Sequence, residues 1–108
     1  MVDAHTLAEA RSLAFHAHVA ARIGSDPTIV LAARERVRAW LAERPERAYA
    51  QAWADILDRS NEELIALLID ERESATAMRQ STPFAGALDP RTRWRIHAEV
   101  RARLEGRG

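Results

Sequence analysis

The chain has 108 residues, no net charge at pH 7, 47% hydrophobic and 30% charged residues, and no cysteine. This suits a single globular domain over residues 1–108 and excludes a disordered chain; the missing cysteines exclude disulfides, zinc thiolates and thiol catalysis. No apolar run approaches the ~20 residues a membrane span needs, and the N-terminus shows no basic stretch leading into an apolar one, so a cytoplasmic protein without membrane contact is expected.

The elements read as helices in chain order. Leu7, Ala10, Ala14 and Ala21, with Phe15 and Val19, form a helical apolar stripe over Asp3 to Arg22. Gly24-Ser25-Asp26-Pro27 ends it, with Asp26 placed to cap a second helix and Pro27 to fit its first turn. That helix runs to about Glu43 with Ile29, Val30, Ala33, Val37, Trp40 and Leu41 inward, until Pro45 breaks it. A third helix covers 46–58, with Tyr49, Trp53, Ile56 and Leu57 inward.

Ser60-Asn61-Glu62-Glu63 has the capping-box spacing and opens a fourth helix at 61–69. Leu64, Ile65, Leu67, Leu68 and Ile69 point almost all round it, which predicts the most buried helix. Asp70 is placed to cap a polar fifth helix at 71–80, with Ala75 and Met78 on one side. An apolar connection follows at 81–89. Asp89-Pro90 then repeats the cap-and-proline signal, and a sixth helix runs to about Leu104 with Ile96, His97, Val100 and Leu104 on one stripe. Residues 106–108 read as a frayed tail. No β-type alternation occurs, so the fold class is all-α: a compact bundle of five to six helices, with Trp40, Trp53, Leu64, Leu68, Ile96 and Val100 in one core.

The inventory of reactive groups points away from chemistry. His16 and His18 are two apart and diverge by about 200° on a helix, whereas helical metal pairs use spacings of three or four. Both read as surface or partly buried side chains, and His97 as an edge-of-core residue. Asp55, Asp58, Glu62, Glu63, Asp70, Glu71 and Glu73 are explained by caps and solvated faces, without the shaped pocket that acid–base work requires. None of the four glycines builds a phosphate-cradling loop. The expectation is no catalytic, cofactor-binding or metal site.

Charge is unevenly spread. All sixteen basic residues are arginine, and residues 91–108 carry six of them against Glu99 and Glu105, a net of about +4 that residues 1–90 balance. Such asymmetry marks either a solvated helix face or an anionic partner. Arg91, Arg95 and Arg103 near one flank could neutralise phosphates. The 81–89 connection, however, is too long and apolar for the turn of a helix-turn-helix.

That connection is the feature that asks for an explanation, because it spends one of the two phenylalanines on a loop. Phe84 and Leu88 can plug the base of the bundle, or the loop can anchor a partner, since aromatics among arginines are enriched at binding hot spots. The two readings are compatible, with Phe84 in the core while Thr82, Pro83 and Gly86 shape a contact surface.

The stretch "MRQSTPFAGALDPRTRW" (78–94) resembles the C-terminal signature of small bacterial antitoxin-like helical proteins, which share a Ser/Thr-Pro-Phe-Ala-Gly-x-Leu block and occur beside toxin genes. Upstream, "AWADILDRSNEELIALLID" (52–70) is similar to that family's helix pair, an acidic helix preceded by an aromatic and then a Leu-rich one. The resemblance covers roughly residues 20–100, and the Pro-Phe-Ala-Gly block is its specific part. It implies an antitoxin that neutralises its toxin by direct binding and occlusion, with Thr82, Pro83, Phe84, Gly86, Arg91 and Arg95 as partner-binding residues. Some relatives carry a separate helix-turn-helix domain, for which this helical body leaves no room. The alternative is a DNA-binding regulator that uses the Arg-rich last helix.

Overall fold

The computed structural model describes residues 3–106 and contains six α-helices: α1 (Ala4–Ile23), α2 (Pro27–Glu43), α3 (Ala48–Leu57), α4 (Asn61–Ile69), α5 (Glu73–Gln80) and α6 (Pro90–Glu105). There is no strand among the described residues. The end of the expected frayed tail, residues 107–108, lies outside them, and Gly106 caps α6 through its backbone N–H.

Four helix starts sit where the side chains dictate. Asp3, Asp26, Ser60 and Asp89 each accept a backbone N–H of the first turn, at 2.7, 3.1, 3.2 and 2.8 Å. Such bonds satisfy donors that a helix leaves free at its N-terminus. Pro27 and Pro90 follow two of them. The other two starts are later than expected. Residues 44–47 close a turn of their own, with Arg47 N–H on the Arg44 carbonyl, so α3 begins at Ala48. Asp70 does not cap α5. Its carboxylate instead holds the guanidinium and the backbone N–H of Arg72, at 2.6 and 2.8 Å, and these bonds hold its pKa down at about 2.

The central element is α1, not α4. It packs against α2, α4, α5 and α6, while α3 bridges α2 and α4. Its buried face is Phe15, His16, Val19, Ala20 and Ile23. Leu7, Ala10 and Ala14 only flank the core, and Ala21 is exposed. The expected stripe is therefore rotated, because a helix with neighbours on several sides buries polar positions as well as its most apolar line. In α4, Leu64 and Leu68 are buried, but Ile69 is 50% exposed, since no helix covers that side. Trp53, Leu64, Leu68, Ile96 and Val100 share one core with Phe84 and Leu88. Trp40 is only half-buried and Tyr49 is exposed. They pack edge to face at 5.4 Å on the rim, with the Arg47 guanidinium over the tyrosine ring.

Three helix C-termini are closed by side chains from elsewhere. Arg34 donates to the Leu57 carbonyl of α3 (2.7 Å). Arg79 donates to Leu67 and Asp70 at the end of α4 (3.1 and 2.6 Å). The Trp53 indole N–H donates to Met78 in α5 (3.2 Å). The two arginines serve carbonyls at the open end of a short helix and complement its dipole, whereas the Met78 carbonyl also accepts the Ser81 backbone N–H and hydroxyl at 3.2 Å each. Because Leu68 is fully buried at the α1–α4 contact, Leu68→Ala is expected to cost about 2–5 kcal/mol in urea unfolding; a loss below about 1 kcal/mol would show that α4 does not carry the core.

Candidate protein-binding surface

The loop after α5 is locked from below. The His16 Nδ1–H donates to the Ser12 carbonyl one turn earlier (2.7 Å), and the Thr82 hydroxyl donates to His16 Nε2 (2.8 Å). Thr82 Oγ1 also accepts the Phe84 backbone N–H (3.0 Å), and the Ala87 N–H closes a turn on the Phe84 carbonyl (2.9 Å). A carbonyl can only accept, so Nδ1 carries the proton and Nε2 is the acceptor. Burial pushes the His16 pKa down to about 4, although the Ser12 hydrogen bond opposes the shift. The imidazole is thus a neutral pin between α1 and the loop.

Above this pin, Phe84 is 1% exposed and its ring meets Trp53 edge to face at 5.9 Å. Pro83 and Leu88 are also buried, and Thr82 is half-buried. Pro83 and Phe84, expected in the contact surface, are thus buried in the folded domain and present little area to a partner. Their apolar area gains more from Trp53 and the core than from solvent. Gly86 is exposed. Its φ is not positive, and an added Cβ would make only ordinary contact, 3.5 Å from Arg36 Nη2. Neither strain nor crowding explains that glycine.

Asp89 accepts both the backbone N–H and the hydroxyl of Thr92 (2.8 and 3.0 Å). These bonds hold its pKa below the usual carboxylate range and fix where α6 leaves the loop. With Thr92, Ile96 and Val100 inward, helical geometry turns Arg91, Trp94, Arg95, Ala98 and Arg101 outward, and all five are exposed. Trp94 is 73% exposed, the highest of the exposed large apolar side chains among the described residues. Of the expected contact residues, Arg91 and Arg95 share this face; Arg103, read with them as a flank that could neutralise phosphates, does not, because it lines the groove beside α1 and α5.

Three residues that matter here were given no such role from the sequence: Trp94 and Arg79 appear only within the 78–94 stretch, and His16, read as a surface or partly buried side chain, is 2% exposed. Trp94 was legible, since it lies about 200° from Ile96 on a helical wheel. His16 carried a signal too, at helical spacing from Val19, Ala20 and Ile23. Arg79, 4% exposed, carried none, because its partners Leu67 and Asp70 are backbone carbonyls that any residue supplies. No family model matches the chain, and no curated protein or solved structure matches it.

Proposed function

We propose that this protein is a protein-binding module and, in the most concrete form, the antitoxin of a toxin–antitoxin pair that covers its toxin by direct binding. The observation that supports the binding role is the outer face of α6, where one large exposed aromatic stands among Arg91, Arg95 and Arg101 on a helix anchored by a buried loop. Trp and Arg are the residue types enriched at binding hot spots, and a preformed face loses little freedom when it binds. The partner surface that fits is an apolar pocket for the Trp94 indole with carboxylates at its rim. Occlusion requires no chemistry of the antitoxin itself. The antitoxin assignment rests on the 78–94 sequence signature.

The test is co-expression with the product of the adjacent reading frame, followed by affinity measurements on purified variants. Trp94→Ala is expected to weaken the complex by about 2 kcal/mol or more, roughly 30-fold. Arg91→Ala and Arg95→Ala should each weaken it less, with the melting temperature unchanged in all three. If none does so, this face is not the interface, and the acidic surface around Asp55, Asp58 and Glu62 becomes the candidate. A tight complex with its own promoter DNA that weakens steeply with salt, as counterion release requires, would favour the DNA-binding reading instead.

A further inference from the structure

A second feature lies on the opposite flank of α6, facing α1. Arg11, Ser12, Arg79, Thr82, Arg93 and His97 line an open depression between α1, the loop and α6, with the buried Phe15 beneath it. No aspartate or glutamate lines it. The Nε atoms of both Arg11 and Arg93 are buried and hydrogen-bond to no described residue, and neither guanidinium forms an ion pair among those residues. Arg79 is already committed, donating to the Leu67 and Asp70 carbonyls and to Thr76 Oγ1. Glu9, on the same helix as Arg11, is paired with His5 at 2.9 Å.

Two like charges lining one depression with no acid among its lining residues and no ion pair are unfavourable by themselves, and their Nη groups, not the sealed Nε atoms, are what a ligand there can reach. Buried donors in native proteins are nearly always satisfied, and a guanidinium fork matches a phosphoryl or carboxylate group. We infer that this depression binds the phosphoryl dianion of a small phosphorylated molecule, clamped by Arg11 and Arg93 with His97 and Ser12 as additional donors. A dianion balances both uncommitted guanidinium charges, whereas a single carboxylate leaves one unbalanced. A phosphodiester within a polymer carries a single charge, so the same balance favours a terminal phosphoryl group. The titratable and charged groups facing the depression are His16, His97, Arg11, Arg79 and Arg93. Burial and the Arg11 and Arg93 charges hold the His97 pKa below its ordinary value, so His97 reports on whatever neutralises them. This site does not depend on the partner-binding reading, since it uses the other side of α6.

The test is NMR titration of the full chain with inorganic phosphate, with affinities read above its second ionisation and the His97 pKa read from pH series without and with saturating phosphate. Chloride at equal ionic strength and acetate are the comparison arms, read at His97 and at the arginine Nε–H signals. The expected result is saturable binding of phosphate at least tenfold tighter than acetate, an upward shift of the His97 pKa when phosphate is bound, and at least tenfold weaker binding in both Arg11→Gln and Arg93→Gln. Shifts that do not saturate, or that chloride reproduces, would overturn the site. Acetate binding as tightly as phosphate would overturn the phosphoryl assignment, as would binding unchanged in the two variants. If either variant fails to fold, the titrations of the unmodified protein decide alone.

Discussion

Phe84→Ala is expected to destabilise the free protein by about 3–5 kcal/mol, the range for truncating a buried phenylalanine. The ring is 1% exposed and meets Trp53 edge to face at 5.9 Å, so its loss removes apolar burial and leaves a cavity beside the largest side chain of the core. The loop cannot readily collapse into that cavity. Thr82 is tied to His16, and the turn from Phe84 to Ala87 fixes the backbone on either side. A domain of this size has roughly 5–15 kcal/mol in hand, so the variant should be marginal at body temperature. Urea unfolding monitored by tryptophan fluorescence is the measurement, with the midpoint falling and the slope retained. Partner binding should be lost only in proportion to unfolding. A variant with native stability but lost binding would mean that Phe84 leaves the core to act as an anchor.

A loss of roughly 3 kcal/mol is expected as the pH falls from neutrality towards 4, from His16 alone. Its pKa is about 4 in the folded chain against an ordinary 6.5. Between those values the unfolded chain binds a proton that the native state does not, so stability rises with pH across the window. The full stability is present above about pH 6.5 and is lost on acidification. His97, also lowered by burial and by Arg11 and Arg93, adds to the slope with the same sign. The carboxylates of Asp3, Asp70 and Asp89, held low chiefly by hydrogen bonds from Thr6, Arg72 and Thr92 respectively, act at lower pH, when they are protonated. Denaturant titrations across this range should show the slope in the unmodified protein and a flatter profile in His16→Gln. A profile already flat in the unmodified protein between neutrality and pH 5, or an unchanged slope in the variant, would sink the account of His16 as a neutral pin.

What the sequence by itself determined is the helical architecture and most of its punctuation. Asp3, Asp26, Ser60 and Asp89 act on N–H groups two or three residues away, and Pro27 and Pro90 act on their own backbone, so these signals are local and can be read without a fold. The same holds for Leu64, Leu68, Ile96 and Val100, whose spacing alone marks a buried face. Where the reading missed, the deciding partner was distant in sequence. The apolar face of α1 is ambiguous as a string of alanines and leucines. Phe15 and Val19 were legible, but only the packing of α2, α4, α5 and α6 around it adds His16, Ala20 and Ile23 to the buried face. Ile69 and Tyr49 look inward by pattern, yet Ile69 faces outward and Tyr49 sits on the rim, covered on one side only by Trp40 of α2. The fate of the 81–89 loop was undecided between plug and anchor, because both use the same apolar residues. The tertiary structure decided it through a histidine 66 residues away from the threonine it holds: burying a polar ring is tolerable only where both nitrogens find partners. The Ser12 carbonyl and the Thr82 hydroxyl become such a pair only when α1 and the loop are brought together.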